Sequence, residues 1–185
     1  MLTVTPTSIE AVKIITPKAF RDARGVFCET YNRKRFFEHG ITLDFVQDNY
    51  SLSAEIGTIR GLHFQGNPAA QGKLIRVLHG SIFDVVVDLR RSSPTYGKWI
   101  AEGLSAADGK QLLVPAGFAH GFCTLEPDTQ ILYKVTAYYS PENDFGIAWN
   151  DPDLAIDWPI LPGNAILSDK DTRLPSFNSL PTYFE

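Results

Sequence analysis

The chain has 185 residues, 44% hydrophobic and 21% charged, which suits one globular domain spanning residues 1–185 and excludes wholesale disorder. Lys and Arg number 17 against 21 Asp and Glu; the net charge of −4 excludes a general nucleic-acid binder but leaves room for a local basic pocket. Two cysteines, Cys28 and Cys123, cannot build a disulfide framework or a four-thiolate zinc site, and their apolar neighbours predict two buried free thiols in a reducing compartment. The first residues carry no charged stretch followed by an apolar one, and no segment reaches the ~20 apolar residues of a membrane helix, so a cytoplasmic protein without a membrane partner is expected.

In chain order, the first regular element predicted is a short helix over 33–39, capped by Asn32 and stopped by Gly40. A strand over Ile59–Gln65 would turn Gly61, His63 and Gln65 to one face and Arg60, Leu62 and Phe64 to the other, with Gly61 leaving open space beside the imidazole. Further strands are predicted at Leu74–Leu78, Trp99–Leu104, Gln111–Val114, Gly121–Leu125 and Gln130–Tyr138, separated by Gly, Pro, Asp and Ser turns. The clearest alternation is Phe83–Arg90: Phe83, Val85, Val87 and Leu89 share one face, while Asp84, Val86, Asp88 and Arg90 form a mixed face that could line a pocket. From about Asp151 the composition predicts a wrapping segment with short helical turns. Strands every ~8–12 residues with one small helix predict an all-β sandwich or barrel, and the mixed face favours a barrel with a ligand-holding mouth.

No dinucleotide, P-loop, HExxH, GxSxG or EF-hand pattern occurs. The histidines, His39, His63, His79 and His120, are scattered, and Gln65 stands where a metal-dependent jelly roll would place its second imidazole, so no metal is expected. His63 is read equally well as a base facing a ligand or as a core histidine satisfied by its neighbours. Lys73 shares parity with Ile75 and Val77, so its amine either points inward to meet an anion or snorkels to water. Tyr133 alternates with Ile131 and Val135, which predicts a core-facing phenol that either donates a proton or hydrogen-bonds a neighbour. His120 lies between a turn and a strand, and Asp171 reads as an exposed loop acid. Together a base, an acid, an oxyanion partner and arginines (Arg24, Arg60) suit proton removal next to a carbonyl.

Several ordered segments match one family: Asp22-Ala23-Arg24-Gly25, Phe45-Val46-Gln47-Asp48-Asn49, Arg60-Gly61-Leu62-His63-Phe64-Gln65, Gln71-Gly72-Lys73-Leu74, Pro115 to Phe122, Leu132-Tyr133-Lys134, Tyr138-Tyr139-Ser140-Pro141, Trp149-Asn150-Asp151 and Leu167 to Asp171. The sequence resembles the dTDP-4-dehydrorhamnose 3,5-epimerases, which have a cupin-type jelly-roll fold and belong to dTDP-L-rhamnose biosynthesis. The resemblance implies His63 as the base at C3 and C5, Asp171 as its orienting partner, Tyr133 as the proton donor from the opposite face and Lys73 beside the enolate oxygen. It implies Arg24, Glu29, Gln47, Asn49, Arg60 and His120 as nucleotide-sugar contacts, Tyr139 as the ring on thymine, and Lys170 next to the paired aspartate. It also implies a homodimer in which Arg24 and Glu29 reach the neighbouring site, dTDP-4-dehydro-6-deoxyglucose as substrate, and no cofactor. One departure is plain: where the family has a glutamate after the Ser-Pro turn, this chain has Asp144, with Glu142 two places earlier.

Overall fold

The computed structural model describes residues 2–185, and its strands form two antiparallel sheets packed face to face. The first sheet contains β1 (Leu2–Pro6), β2 (Lys13–Pro17), β5 (Gln47–Ser53), β7 (Lys73–His79), β10 (Gln111–Val114) and β12 (Thr129–Val135), in the order β1-β2-β10-β7-β12-β5. The second contains β6 (Ile59–Gln65), β8 (Ser81–Asp88), β9 (Trp99–Ser105), β11 (Phe118–Thr124) and β13 (Asp144–Gly146), in the order β13-β6-β11-β8-β9. A separate hairpin joins β3 (Ala19–Asp22) to β4 (Gly25–Cys28). The predicted all-β jelly-roll class holds.

Between the sheets, Ile75, Val77, Leu112, Val114 and Ile131 from the first meet Ile82, Val86, Ile100, Leu104, Phe118 and Phe122 from the second. Each such side chain contributes about 1.5–3 kcal/mol on burial, which is what holds the two faces together. The opposite face of the second sheet carries Val85, Val87 and Leu89, and the chain after β13 covers it with Trp149, Leu154, Trp158 and Phe184. Here the predicted wrapping segment appears, with one-turn helices at Pro162–Asn164, Asp171–Arg173 and Phe177–Ser179. Helix α1 (Arg33–Glu38) is too short to stand alone. Its Asn32 side chain caps the Arg35 amide, and Phe36 plugs it onto the first sheet beside Ile15, Leu74 and Leu113.

Several expectations are corrected. The strand expected to begin at Gly121 starts at Phe118, so His120 lies inside β11 and not between a turn and a strand. Cys123 is buried, but Cys28 is only partly so, because it ends an exposed hairpin. The mixed face of β8 divides its work. Asp84 backs a cavity through His120, whereas Asp88 leaves the cavity and binds Arg90, Ser93 and Thr95 in the turn after the strand. Burial opposes ionisation of Asp88, but these hydrogen bonds prevail and hold its carboxyl at about 2.

β5 is inverted relative to an ordinary half-buried strand. Gln47, Asn49 and Ser51 face inward, because they pair across with Val135, Tyr133 and Ile131, while Tyr50 and Leu52 face out, 57% and 45% exposed. The polar inward stripe marks where the apolar core gives way to a wet cavity.

Candidate active site

At the polar end of the sandwich a cavity of about 460 Å³ opens between the sheets. β6 supplies its first chemical group. β6 pairs with β11 through His63 opposite His120 and Arg60 opposite Phe122, so β6 spends three residues where β11 spends two. That bulge reverses the parity expected from strict alternation. Arg60 therefore joins His63 on the cavity side, while Leu62 and Phe64 pack in the outer core.

The open space expected beside Gly61 is absent. A Cβ there would lie 2.6 Å from the Gly121 Cα and 2.8 Å from the His120 carbonyl, and the backbone has φ of +127°. Glycine is required for the close approach of two strands, and that approach brings the two imidazoles side by side.

His63 Nε2 donates to Asp171 Oδ1 at 2.6 Å. Asp171 is not the exposed loop acid its local sequence suggests; it is 4% exposed. Its segment is pinned when Ile166 bridges Thr58 in parallel and its carbonyl accepts from the amide of Ile59, the first residue of β6, and the Ser168 hydroxyl then accepts from the Asp171 amide. Burial raises the Asp171 pKa, but hydrogen bonds from His63, Ser168 and the Gly61 backbone outweigh it, leaving the carboxyl below its ordinary value. An ionised carboxylate at this distance orients the imidazole and stabilises the proton it takes up.

The first sheet forms the opposite wall. Lys73 and Tyr133 project inward from β7 and β12 at the predicted parity. The Lys73 amine donates to the His63 carbonyl at 3.1 Å, which ties the walls together. Burial lowers its pKa to about 8, Asp144 and Asp84 resist that drop and Lys170 adds to it. Burial raises the Tyr133 pKa, with Arg60 and Asp144 acting in opposite directions, so the phenol keeps its proton at neutral pH. Among the described residues its hydroxyl has no hydrogen-bond partner, which leaves it free to donate to a ligand.

The rim is polar. Arg60 reaches across to Ser53 Oγ and the Leu52 carbonyl, both at 3.1 Å. Gln47 holds Asn49 through its amide nitrogen and accepts from the Tyr139 amide through its oxygen. The buried Gln65 side chain donates to the Ala69 and Tyr138 carbonyls and accepts from the Ser140 amide, so it fixes the loop that carries Tyr139. Asp144 accepts from Lys170 at 2.6 Å and from the Tyr139 hydroxyl at 3.2 Å, so it is Asp144 and not Glu142 that reaches the cavity; Glu142 bonds Ser140. Among the described residues no three His, Cys, Asp or Glu side chains gather as a metal site, and no helix is long and apolar enough to cross a membrane.

This arrangement has close counterparts. The family model described as dTDP-4-dehydrorhamnose 3,5-epimerase matches residues 6–179. The chain belongs to that family. It is therefore an isomerase, an epimerase of dTDP-L-rhamnose biosynthesis. The dTDP-4-dehydrorhamnose 3,5-epimerase of Sinorhizobium fredii is 54% identical over 178 residues, covering 96% of this chain and 91% of its own. The Bacillus anthracis epimerase, solved with TDP and PPi bound, superimposes with a TM-score of 0.92 at 55% identity, over 95% of this chain and 99% of its own. The Legionella pneumophila enzyme, solved with dTDP-4-keto-L-rhamnose, gives 0.93 at 45% identity, over 98% and 95%.

Set on this epimerase scaffold, the predicted site residues divide in two. Gln47, Asn49, Arg60, His63, Lys73, His120, Tyr133, Tyr139, Asp144, Lys170 and Asp171 converge on the cavity. Arg24 and Glu29 do not. Arg24 pairs with Asp22 at the exposed tip of the β3–β4 hairpin, and Glu29 pairs with Arg35 of α1. Sequence reasoning missed Ser51, Ser168 and the anchoring role of Gln65. The inward parity of β5 would have found Ser51.

Proposed function

We propose that this cavity inverts C3 and C5 of dTDP-4-dehydro-6-deoxy-D-glucose to give dTDP-4-dehydro-L-rhamnose, and that His63, Asp171, Tyr133 and Lys73 carry the chemistry. The observation that carries the reading is the placement of a carboxylate-paired imidazole on one wall and a protonated phenol on the other. Packed sheets lie roughly 10 Å apart, room for one sugar ring between the two.

In each half-reaction the His63 imidazole takes the proton from the carbon next to the C4 ketone. The C–H electron pair moves into a C–C double bond and the carbonyl pair moves onto O4. The Lys73 ammonium meets the oxyanion in a site where burial makes the interaction strong. The enolate then collapses, and the carbon receives a proton from the Tyr133 hydroxyl on its other face. The phenolate regains a proton from solvent and the imidazolium releases its own to solvent, so no electrons leave the sugar and no redox cofactor is needed. Asp171 supports the positive charge on His63 during the first step.

Arg60 and Lys170 supply positive donor groups for the diphosphate and sugar, with His120, Gln47 and Asn49 beside them, and Tyr139 offers its ring to the thymine. The Asp144 contact to Lys170 and Tyr139 replaces the longer reach of a glutamate. Arg24 and Glu29 complete a neighbouring site in a homodimer. Support for that reading comes from the exposed Phe20, Val26 and Phe27 on their hairpin and from Tyr50, Leu52 and Leu78 on the outer sheet face.

The test is NMR of the product formed from dTDP-4-dehydro-6-deoxy-D-glucose in heavy water. Deuterium at both C3 and C5 is expected. Label at C5 alone would make the enzyme a single-centre epimerase, and label at neither would sink the proposal.

A further inference from the structure

Behind His120 lies a group that the mechanism above does not use. Asp84, on β8, is 0% exposed, and its Oδ1 accepts from His120 Nε2 at 2.8 Å. Its second oxygen, Oδ2, is buried and has no hydrogen-bond partner among the described residues. A buried carboxylate oxygen left without a donor is costly, so such a group persists where its charge has a use. Strand pairing is not that use, since Asp84 and Phe122 are already in register in the β8–β11 ladder.

The surroundings show what the charge faces. His120 stands opposite His63 across the β6–β11 pair, so a row of carboxylate, imidazole, imidazole and carboxylate runs Asp171, His63, His120, Asp84 across the sheet. From the other wall come Lys73 and Tyr133, from β6 also Arg60, and from the rim Asp144 and Lys170. Asp144 is already matched by Lys170 at 2.6 Å. Asp171 is matched by His63. Asp84 is the remaining anion, with His120 as its bonded partner and Lys73 within its field.

We propose that Asp84 is a positioning residue of the epimerase site: it holds His120 by Nε2–H, so that Nδ1 is what His120 offers the substrate, and it supplies the buried negative charge against which His120 and the Lys73 ammonium are set. The inference rests on the catalytic reading above. With its own carboxylate, His120 does not oppose the proton that His63 takes up beside it. Without that carboxylate, the Lys73 ammonium still faces Lys170 and keeps only Asp144 of the two carboxylates that favour its charge, and Asp144 is already paired with Lys170.

Asp84→Asn separates charge from shape, because the amide oxygen still accepts from His120 Nε2–H. The variant should keep KM within about threefold while kcat falls about 10- to 100-fold. Its kcat should also begin its alkaline decline at lower pH than wild type, by about one pH unit. Wild-type kcat with an unmoved alkaline limb would overturn the proposal, as would a raised KM with kcat unchanged. Should the variant fail to fold, ¹⁵N NMR of the His120 ring in the wild-type enzyme, assigned by its loss in His120→Gln, decides the positioning claim. A proton on Nε2 is expected, and a lone pair there with the proton on Nδ1 would overturn it. Wild-type enzyme that does not epimerise the nucleotide sugar would instead defeat the catalytic reading, leaving the ring measurement to judge Asp84 alone.

Discussion

Replacing Lys73 with methionine should make the protein more stable and far less active. Lys73 is 8% exposed, and burial lowers its pKa from 10.5 to about 8. That difference means the charged amine costs the folded state about 3 kcal/mol at neutral pH. Below pH 8 the amine is protonated in both folded and unfolded chains, so the cost is complete; it shrinks as pH rises from about 8 and vanishes above 10.5. Methionine fills a similar volume without the charge but gives up the hydrogen bond to the His63 carbonyl, worth about 1–2 kcal/mol. The net gain is about 1–2 kcal/mol, or a Tm higher by about 2–8 °C for a chain of this length. The kcat should fall about 10²–10³-fold, the scale of one lost oxyanion partner. Calorimetry at pH 7 and pH 10, with turnover of the nucleotide sugar at pH 7, checks all three quantities. The stability gap between variant and wild type should narrow at the higher pH. A variant that melts lower than wild type, or keeps its kcat, would refute the reasoning that this charge is held at a cost for the sake of the enolate.

Two further substitutions probe the walls. Tyr133→Phe removes a hydroxyl that bonds no protein group among the described residues, so Tm should change by less than about 3 °C, while recovered, uninverted substrate gains solvent deuterium and inverted product falls at least ~10²-fold; inversion at the wild-type rate would show that another group is the acid. Gly61→Ala sets a Cβ 2.6 Å from the Gly121 Cα in a backbone with φ of +127°, so it should destabilise by more than about 2 kcal/mol in denaturant titration, and an unchanged midpoint would contradict the close strand approach.

The legible part of this fold is the part whose alternation serves a core. Phe83–Arg90 reads directly as a strand because apolar residues occupy every second position, and Gln111–Val114 and Trp99–Leu104 because short, mostly apolar runs lie between turns. β5 was hidden by the reverse pattern, since its inward residues, Gln47, Asn49 and Ser51, line a wet cavity and its outward ones are Tyr50 and Leu52. The β3–β4 hairpin and β1 were hidden because their side chains are mostly exposed and send no burial signal. Within the site, parity alone points Tyr133 inward, whereas for Lys73 it leaves two outcomes open, and the buried position of its amine decides for the inward one. Arg60 was misplaced because no local rule announces a bulge at Gly61–Leu62. Asp171 looked like solvent-facing loop because its partner lies 108 residues away, and only the family resemblance joined the two.

The most direct measurement is the rate at which solvent deuterium enters C3 and C5 of dTDP-4-dehydro-6-deoxy-D-glucose, compared between wild type and His63→Asn. Asparagine keeps a polar side chain opposite Asp171 but has no basic nitrogen, so the fold is retained and the base is gone. Exchange at both carbons should fall at least ~10²-fold in a variant whose thermal unfolding shows it to be folded. Near-wild-type exchange in that folded variant would contradict the assignment of His63 as the group that takes the proton.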